Sequence, residues 1–250
     1  MRKNKDNQIL MSHGDGGVKT LELIKNIIIG YLGNETLNKL EDSAVLKCGA
    51  TRLAFTTDSF VVKPVFFPGG DIGKLSICGT INDLVTSGCK PYAISLSFII
   101  EEGFKLSDFE KIVMSIKETI TEAGNSIKVV TGDLKVVESK SADGIFINTS
   151  GIGFLDEKIN ISPQKIKAGD AIIINGNIAD HGIAILSRRE GFNFKSDITS
   201  DCAPLNLLVE DILAVSKNIS ALRDATRGGI ARVLLELSEI SNLSFEIFQD

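Results

Sequence analysis

The stretch RLAFTTDSFVVKPVFFPGGDIGKLSICGTINDLVTSG, residues 52–88, carries the clearest fold signal in the chain. Residues 52–62 alternate between apolar and polar side chains and are rich in β-branched and aromatic residues, which predicts a strand. Residues 72–88 place apolar side chains at helical spacing and end at a glycine, which predicts a helix. The segment between them contains a Gly-Lys pair, but Pro68 stands where a P-loop needs its first glycine. The stretch is therefore read as strand, turn and helix, without a Walker A loop.

More elements are predicted on both sides of this stretch. Thr20 is the predicted cap of a helix that ends at Gly33. Ser107 and Glu110 form a predicted capping box at the start of another helix. Further strands are predicted at residues 93–100, 127–133 (short and buried) and 144–155, and further helices around residues 181–191, 205–222 and 230–240.

The turn-rich polar segment 162–170 predicts a boundary between two domains, residues 1–160 and 161–250. A last strand is predicted to begin at SFEIF, residues 244–248. Because the sequence stops there, we expect the second domain to be incomplete and the sequence to be a piece of a longer gene product.

Composition restricts the class of protein. The 250 residues are 43% hydrophobic, which supports a buried core, and the net charge of −5 argues against nucleic acid or an anionic membrane as the main partner. No apolar run approaches a membrane span and no secretory signal is recognisable, so a soluble cytoplasmic protein is expected. The four cysteines form no CxxC pair and there are two histidines, which makes a zinc site improbable. The cysteines are expected to be mostly buried small hydrophobic residues.

Five aspartates stand where apolar runs meet turns or inside glycine-bearing polar segments. They are Asp42, Asp58, Asp83, Asp133 and Asp224. Each alone is explained as a turn or cap residue. Converging at strand ends, they would instead make an oxygen-ligand site suited to Mg²⁺, and for the set of five we favour this interpretation.

Two glycine-rich segments accompany the aspartates. SHGDGGVKT, residues 12–20, is either a flexible leader or a loop that covers phosphates, with Lys19 within reach of whatever it covers. RDATRGG, residues 223–229, sets two arginines beside Asp224, and these would clamp phosphate or pair with a local carboxylate. Lys135 follows Asp133 in a similar way.

The motifs in order resemble one known family. They are SHGDGGVKT, EDSAV, TTDSFVVKPVFFPGGDIGKLSICGTINDL, SLSFIIEEGF, VTGDLKVV, GIFINTSGIG, ADHGIAILSRREG, SDCAPL and RDATRGG. Together they resemble the HypE family of hydrogenase expression/formation proteins, in the superfamily of aminoimidazole ribonucleotide synthetase, selenophosphate synthetase and thiamine-phosphate kinase. The resemblance runs from about Ile9 to the last residue.

The resemblance implies an α+β, two-domain PurM-like fold, whose N-terminal domain forms a barrel across a homodimer, with ATP and Mg²⁺ bound between the domains. It implies Mg²⁺ ligands at Asp42, Asp58, Asp83 and Asp224. It implies nucleotide contacts at Ser12, Gly14, Asp15, Gly16, Gly17, Lys19, Asp58, Asn82, Asp83, Thr131, Gly132 and Arg227. Its candidates near the reacting centre are Lys135, Asp133 and Lys19, with Lys135 as the candidate base.

The implied activity is ATP-dependent dehydration of an S-carbamoyl group on a C-terminal cysteine to a thiocyanate, the cyanide source for [NiFe] hydrogenase. The implied partners are a carbamoyltransferase of the HypF type and a HypC–HypD-type scaffold complex. The sequence departs from the pattern because none of its four cysteines is terminal, and because Leu134 replaces a frequent threonine.

Two other functions remain open at this stage. One is another synthetase of the superfamily, such as selenophosphate synthetase, although the glycine loop lacks the cysteine or selenocysteine usual there. The other is a non-catalytic nucleotide-binding module that docks maturation partners.

Overall fold

The computed structural model describes residues 8–124, 126–189 and 197–248. The strands are β1 (Ala44–Cys48), β2 (Thr51–Phe60), β3 (Phe66–Phe67), β4 (Gly70–Asp71), β5 (Lys90–Glu101), β6 (Lys128–Val137) and β7 (Ile145–Leu155). The α-helices are α1 (Val18–Leu23), α2 (Gly30–Leu32), α3 (Ile72–Thr86), α4 (Leu106–Glu122), α5 (Asp180–Leu186), α6 (Asn206–Val215) and α7 (Gly229–Ser241). A π-helical segment, Ile24–Ile29, joins α1 to α2, and short 3₁₀ turns lie at Met11–His13, Leu37–Lys39 and Pro163–Lys165.

Five strands form one sheet in the order β1-β2-β7-β5-β6. All neighbours are antiparallel except β5 and β6. Helices α3 and α4 pack side by side, and α3 lies on the sheet against β2 and β7. The core between helices and sheet is made mostly of isoleucine, including the fully buried Ile77, Ile81, Ile94 and Ile147. The helices cover one face of the sheet, and the other face is called the open face below.

The register of the sheet fixes which side chains share a face. Asp58 pairs with Thr149, Thr149 with Leu96, and Leu96 with Gly132, so these four residues form one row across four strands. Thr149 is fully buried and Leu96 packs against the core, so the row belongs to the helix-covered face. Because side chains alternate along a strand, the next row, which includes Ser59, Asn148 and Asp133, belongs to the open face.

The hairpin β3–β4 and α3 hold a segment from the C-terminal part of the chain. Residues 199–206, called the strap, lie against β3–β4 and α3 in the folded chain. The Ser200 N–H donates to the Pro68 carbonyl at 2.8 Å. The Asn82 amide donates to the Ala203 carbonyl at 3.1 Å and accepts from the Leu205 N–H at 2.9 Å. After β7, the described residues contain helices and no strand.

Several sequence predictions are confirmed by these elements. The predicted helix at 72–88 is α3, and its first turn is capped by Asp71, whose carboxylate accepts from the Gly73 and Lys74 N–H groups. The strands predicted at 52–62, 93–100 and 144–155 are β2, β5 and β7 with slightly different ends. The predicted helix that ends before Gly33 spans α1, the π-helical segment and α2.

Other local predictions were wrong. Thr20 does not cap α1, which follows Gly17. Its hydroxyl instead accepts from the Gly16 N–H, because it lies inside the first turn. Ser107 does not cap α4, which begins one residue earlier, after Lys105. The helix predicted at 205–222 ends at Val215.

The exposure of side chains, the placement of strands and the length of one helix also differ from expectation, in four places. The strand predicted as buried at 127–133 is β6, an exposed strand at the edge of the sheet. Residues 244–248 form no strand. Of the cysteines, Cys78 and Cys89 are buried, but Cys48 is exposed. The helix predicted at 181–191 is confirmed as α5 only to Leu186, and its last two residues lie outside the described ranges.

Within the described ranges, no helix combines the length and apolarity needed to cross a membrane.

Candidate nucleotide and metal site

Four of the five predicted aspartates influence one another in a buried cluster, called the acidic cluster, between the sheet and the C-terminal part of the chain. Asp42 precedes β1, Asp58 lies within β2, Asp83 lies within α3, and Asp224 precedes α7. The prediction that Asp58 and Asp133 end strands was wrong, because they lie inside β2 and β6, whereas Asp83 lies in the predicted helix. Asp58 and Asp83 face each other across the α3–β2 contact, where a Cβ on Gly79 would lie 3.7 Å from Asp58 Oδ2.

Burial and mutual repulsion make these carboxyls weak acids. Burial and the charges of Asp224, Asp58 and Asp42 raise the pKa of Asp83 to about 9. Burial and the charges of Asp42 and Asp58 raise the pKa of Asp224 to about 7. Burial also raises the pKa of Asp42 and of Asp58, although a nearby arginine opposes the shift in each case.

Thr56 lies between two members of the cluster. Its Oγ1 donates to Asp83 Oδ2 at 2.9 Å and lies 3.0 Å from the Asp42 carbonyl oxygen. The hydrogen bond from Thr56 lowers the pKa of Asp83, in opposition to burial and the neighbouring carboxylates, which outweigh it.

Two arginines from the C-terminal part of the chain enter the cluster. Arg223 is buried and forms an ion pair with Asp42. The charge of Arg227 lowers the pKa of Asp58 in opposition to burial, and its guanidinium donates to the Gly14 carbonyl. The sequence left open whether the two arginines of RDATRGG bind phosphate or pair with a carboxylate. In this structure Arg223 pairs with a carboxylate, and Arg227 lies between Asp58 and the glycine-rich loop.

The glycine-rich loop lies on Arg227. Gly16 has a φ of +80°, in the left-handed region, and a Cβ there would lie 2.9 Å from the Arg227 Cβ. Asp15 Oδ1 accepts from the Gly17 N–H at 2.8 Å, which closes the loop before α1. The loop is thus folded onto the edge of the acidic cluster, with Ser12 half-buried and Lys19 exposed beside it.

The structure does not bring the TGDLK segment to this cluster. Thr131, Asp133 and Lys135 lie on the open face of β6, and Lys135 donates to Asp133 at 2.7 Å. This hydrogen bond lowers the pKa of Asp133. Gly132 shares the row of Asp58, but three inter-strand spacings, about 14 Å, separate them. Asn82 is also engaged elsewhere, since both ends of its amide bind the strap.

The acidic cluster suits a divalent cation chemically. Its four carboxylates face two arginines, which leaves an excess of two negative charges when all are ionised. The described residues contain no group of three His, Cys, Asp or Glu side chains already spaced to hold a metal ion. Carboxylate oxygens suit a hard cation such as Mg²⁺, which takes few protein ligands and shares its other positions with water and phosphate oxygens.

Two neighbours of the acidic cluster escaped the sequence analysis. Thr56 lies two residues before Asp58 on β2, so both side chains point to the same face of the sheet. This spacing in the predicted strand could have indicated Thr56 as a neighbour of Asp58. Glu236 in α7 raises the pKa of Asp42 by its charge. It is twelve residues from Asp224 in the sequence, and no motif or spacing in the sequence indicates that it lies near the cluster.

Family models match both parts of the chain. Residues 40–155 match AIR synthase related protein, N-terminal domain, and residues 167–250 match AIR synthase related protein, C-terminal domain. A carbamoyl dehydratase HypE of Cupriavidus necator is 45% identical over 240 residues, which are 96% of this chain and 68% of that protein. The chain belongs to the HypE family. The fold is therefore that of the AIR-synthase-related, PurM-like proteins.

Two solved HypE structures have the same fold. The one titled as a HypE–HypF complex has a TM-score of 0.82 and 50% identity, and the match covers 88% of this chain and 70% of that chain. A HypE in complex with ATP has a TM-score of 0.73 and 42% identity, and the match covers 94% of this chain and 69% of that chain.

Proposed function

We propose that this chain is an ATP-dependent carbamoyl dehydratase of [NiFe] hydrogenase maturation. It converts an S-carbamoyl group on a C-terminal cysteine to a thiocyanate. The observation that carries the proposal is 45% identity to a carbamoyl dehydratase HypE over 96% of this chain. The products are thiocyanate, ADP and phosphate.

The chain's own residues supply binding and charge. The glycine-rich loop lies directly over Arg227, a side chain that can bind phosphate, so Ser12, Gly14, Asp15, Gly16, Gly17 and Lys19 are proposed ATP contacts. Phosphoryl transfer depends on position and charge neutralisation more than on a protein nucleophile. The role of the loop is therefore to hold the γ-phosphate at the acidic cluster.

The acidic cluster is the proposed Mg²⁺ site, with Asp42, Asp58, Asp83 and Asp224 as candidate ligands. Bound Mg²⁺ would neutralise charge on the transferring phosphoryl group. The raised pKa values of Asp83 and Asp224 show that the chain alone does not balance the charge of the cluster. This excess of carboxylate supports a cation that is bound together with the nucleotide.

The open face supports a homodimer. It carries the polar row of Ser59, Asn148 and Asp133 beside exposed apolar side chains such as Phe55 and Phe154, and no described helix covers it. An antiparallel sheet can leave one face to water, but aromatic side chains exposed on that face are typical of an interaction surface. A second copy packed there would close a barrel and enclose Lys135, Asp133 and Thr131, which is why the catalytic role of these residues is proposed only for the dimer.

The remaining assignments follow from family membership. We propose residues 1–160 and 161–250 as the two domains, a HypF-type carbamoyltransferase and a HypC–HypD-type scaffold as partners, and the cytoplasm as the compartment. A HypE has been solved as a HypE–HypF complex, which supports the first partner.

The decisive experiment supplies the acceptor in trans, because the sequence has no cysteine after Cys202. A peptide with an S-carbamoyl cysteine is incubated with the protein and Mg-ATP, and mass spectrometry follows the peptide. Loss of one water, matched by ADP release, is the expected result. An unchanged peptide mass with intact ATP binding would contradict the dehydratase and favour a nucleotide-binding module.

A further inference from the structure

The strap is bound by the asparagine that precedes Asp83 in α3. The Asn82 amide donates to the Ala203 carbonyl at 3.1 Å and accepts from the Leu205 N–H at 2.9 Å. Asn82 thus uses a donor and an acceptor on two backbone groups of one segment, which an amide can do and an ionised carboxylate or an aliphatic side chain cannot. The family resemblance implies a nucleotide contact at Asn82, but in this structure its amide is engaged with the strap.

Two further hydrogen bonds hold the ends of the strap. At its start, the Ser200 N–H donates to the Pro68 carbonyl, next to the hairpin β3–β4, at 2.8 Å. At its end, the Asn206 amide donates to the Ala123 carbonyl, just after α4, at 2.9 Å. The bonds from α3 lie between these two anchors, so the strap is held at three points along the helix-covered half of the fold.

The strap leads into α6 and from there to Asp224 of the acidic cluster. Helix α6 packs against α3, and its Val209 is buried in the main core. The chain that follows α6 reaches Leu222, which packs on the same core, and then Asp224. Helix α3 therefore carries Asp83 and, through Asn82, also binds the segment that brings Asp224 to the cluster.

The spacing between these two carboxylates has to be imposed by the fold. The charge of Asp224 raises the pKa of Asp83, so the two groups repel each other when both are ionised. Without a cation, this repulsion favours their separation. A bond that keeps the strap on α3 acts against that separation, because it fixes the start of the segment that ends at Asp224.

We propose that Asn82 is a positioning residue: by binding the strap to α3, it holds Asp83 and Asp224 at the spacing that a divalent cation between them needs. The inference rests on the proposed function for the identity of the cation, Mg²⁺, and of the nucleotide. It assigns Asn82 to the protein's own backbone and not to ATP. A change at the far anchor, Asn206, should therefore reproduce the effect of a change at Asn82.

The first measurement is amide hydrogen exchange in the wild type and in Asn82→Ala, which requires no ATP. The Leu205 amide should exchange about fivefold faster or more in the variant, because it loses its acceptor. The Ser200 amide, bonded to Pro68, is the internal reference and should keep its rate. Asn218→Ala, at an exposed asparagine after α6, is the matched control and should leave both rates unchanged.

The second measurement is a thermal-shift titration with Mg²⁺ in the presence of a non-hydrolysable ATP analogue. The half-saturating Mg²⁺ concentration should rise about fivefold or more in Asn82→Ala and in Asn206→Ala, because the carboxylates are less well placed. The affinity for ATP in the presence of a chelator should stay that of the wild type in both variants. Asn82→Gln keeps a donor and an acceptor one methylene further out. It should change less in the same direction, and it carries the test if the alanine variant does not fold.

Three results would overturn the inference. An unchanged Leu205 exchange rate in Asn82→Ala would show that Asn82 does not hold the strap. Lower melting temperatures with an unchanged half-saturating Mg²⁺ concentration would limit Asn82 to a structural role. Weaker ATP binding without Mg²⁺ in Asn82→Ala, with wild-type behaviour of Asn206→Ala, would assign Asn82 to the nucleotide. A wild-type protein without ATP turnover would contradict the proposed dehydratase, and both measurements would still test the role of Asn82.

Discussion

At the scale of single residues, the acidic cluster is set by a conflict between burial and charge. Asp83 and Asp224 are buried with neighbours of the same sign, and their pKa values rise because neither water nor a sufficient number of cations stabilises the ionised forms. Asp42 keeps a buried arginine partner and still has a raised pKa. The mutual repulsion makes such a cluster unfavourable without a cation, and the proposed Mg²⁺ would relieve it.

The substitution Asp83→Asn tests this conflict directly. Above about pH 9, where Asp83 is ionised, it removes one like charge and keeps a group that bonds to Thr56, so at that pH the chelator-treated variant should melt above the wild type. The same change should lower Mg-ATP turnover at least about 100-fold, because the proposed Mg²⁺ that neutralises phosphoryl charge loses a ligand. Differential scanning fluorimetry and ADP release measure the two effects.

Asp211→Asn, an exposed carboxylate on α6, is the matched control and should change neither quantity. A variant at Asp83 with wild-type turnover would remove this residue from the site.

His181 gives a second test at this scale, through pH. Its Nδ1 lies 2.8 Å from Ser200 Oγ, and burial lowers its pKa although Asp201 opposes the shift. The unfolded chain therefore binds the proton more strongly, and wild-type stability falls as pH drops below about 6.5 towards the lower folded pKa. Urea unfolding at pH 7.5 and 5.5 measures this loss.

The variant His181→Asn should lose less stability over the same pH interval, because asparagine does not titrate. Equal losses in wild type and variant would show that His181 does not contribute.

At the scale of elements, two glycines of the glycine-rich loop, Gly14 and Gly16, differ in backbone conformation and in the room for a side chain. Gly16 has a positive φ and no room for a Cβ beside Arg227, whereas at Gly14 the nearest atom to an added Cβ is 3.7 Å away, an ordinary contact. The loop therefore needs glycine at one position for conformation and contact, and tolerates a small side chain at the other.

Gly16→Ala should weaken ATP binding by about tenfold or more, since the left-handed backbone costs about 1–2 kcal/mol before any displacement of Arg227. Gly14→Ala is the control within the same loop and should bind nearly as tightly as the wild type. Isothermal titration with a non-hydrolysable ATP analogue compares them, and equal affinities would argue that the loop does not cover the nucleotide.

At the scale of the whole molecule, the open face separates two sets of predicted residues. Asp58 points into the helix-covered layer, while Asp133 and Lys135 lie on the other face of the same sheet. One chain cannot bring both sets to one substrate through the sheet. The dimer proposal follows from this separation together with the exposed apolar side chains around the polar row.

Phe55→Asp should convert the dimer to a monomer, because a carboxylate would be buried between two sheets without a partner. Sedimentation velocity measures the change in mass. Met114→Asp, on the exposed surface of α4, is the control and should leave the oligomeric state unchanged. A monomeric wild-type protein at micromolar concentration would contradict the dimer.

The sequence alone predicted the elements that depend on local pattern. Apolar spacing and terminal glycines located α3, β2, β5 and β7, because periodicity reflects which side faces a core. The motifs indicated the family and four aspartates of one cluster. Local pattern failed at Thr20 and Ser107, where several polar residues near a helix start compete as caps and tertiary contacts choose among them.

Tertiary structure alone decided the contacts between distant segments. Tertiary structure places β6 at an exposed edge of the sheet. It also pairs Arg223 with Asp42 and bonds Asn82 to the strap, and these residues are far apart in the sequence. The raised pKa values of the cluster have the same origin, because burial and charge separation are properties of the folded chain. The sequence determined which residue types were available, and packing determined which of them meet.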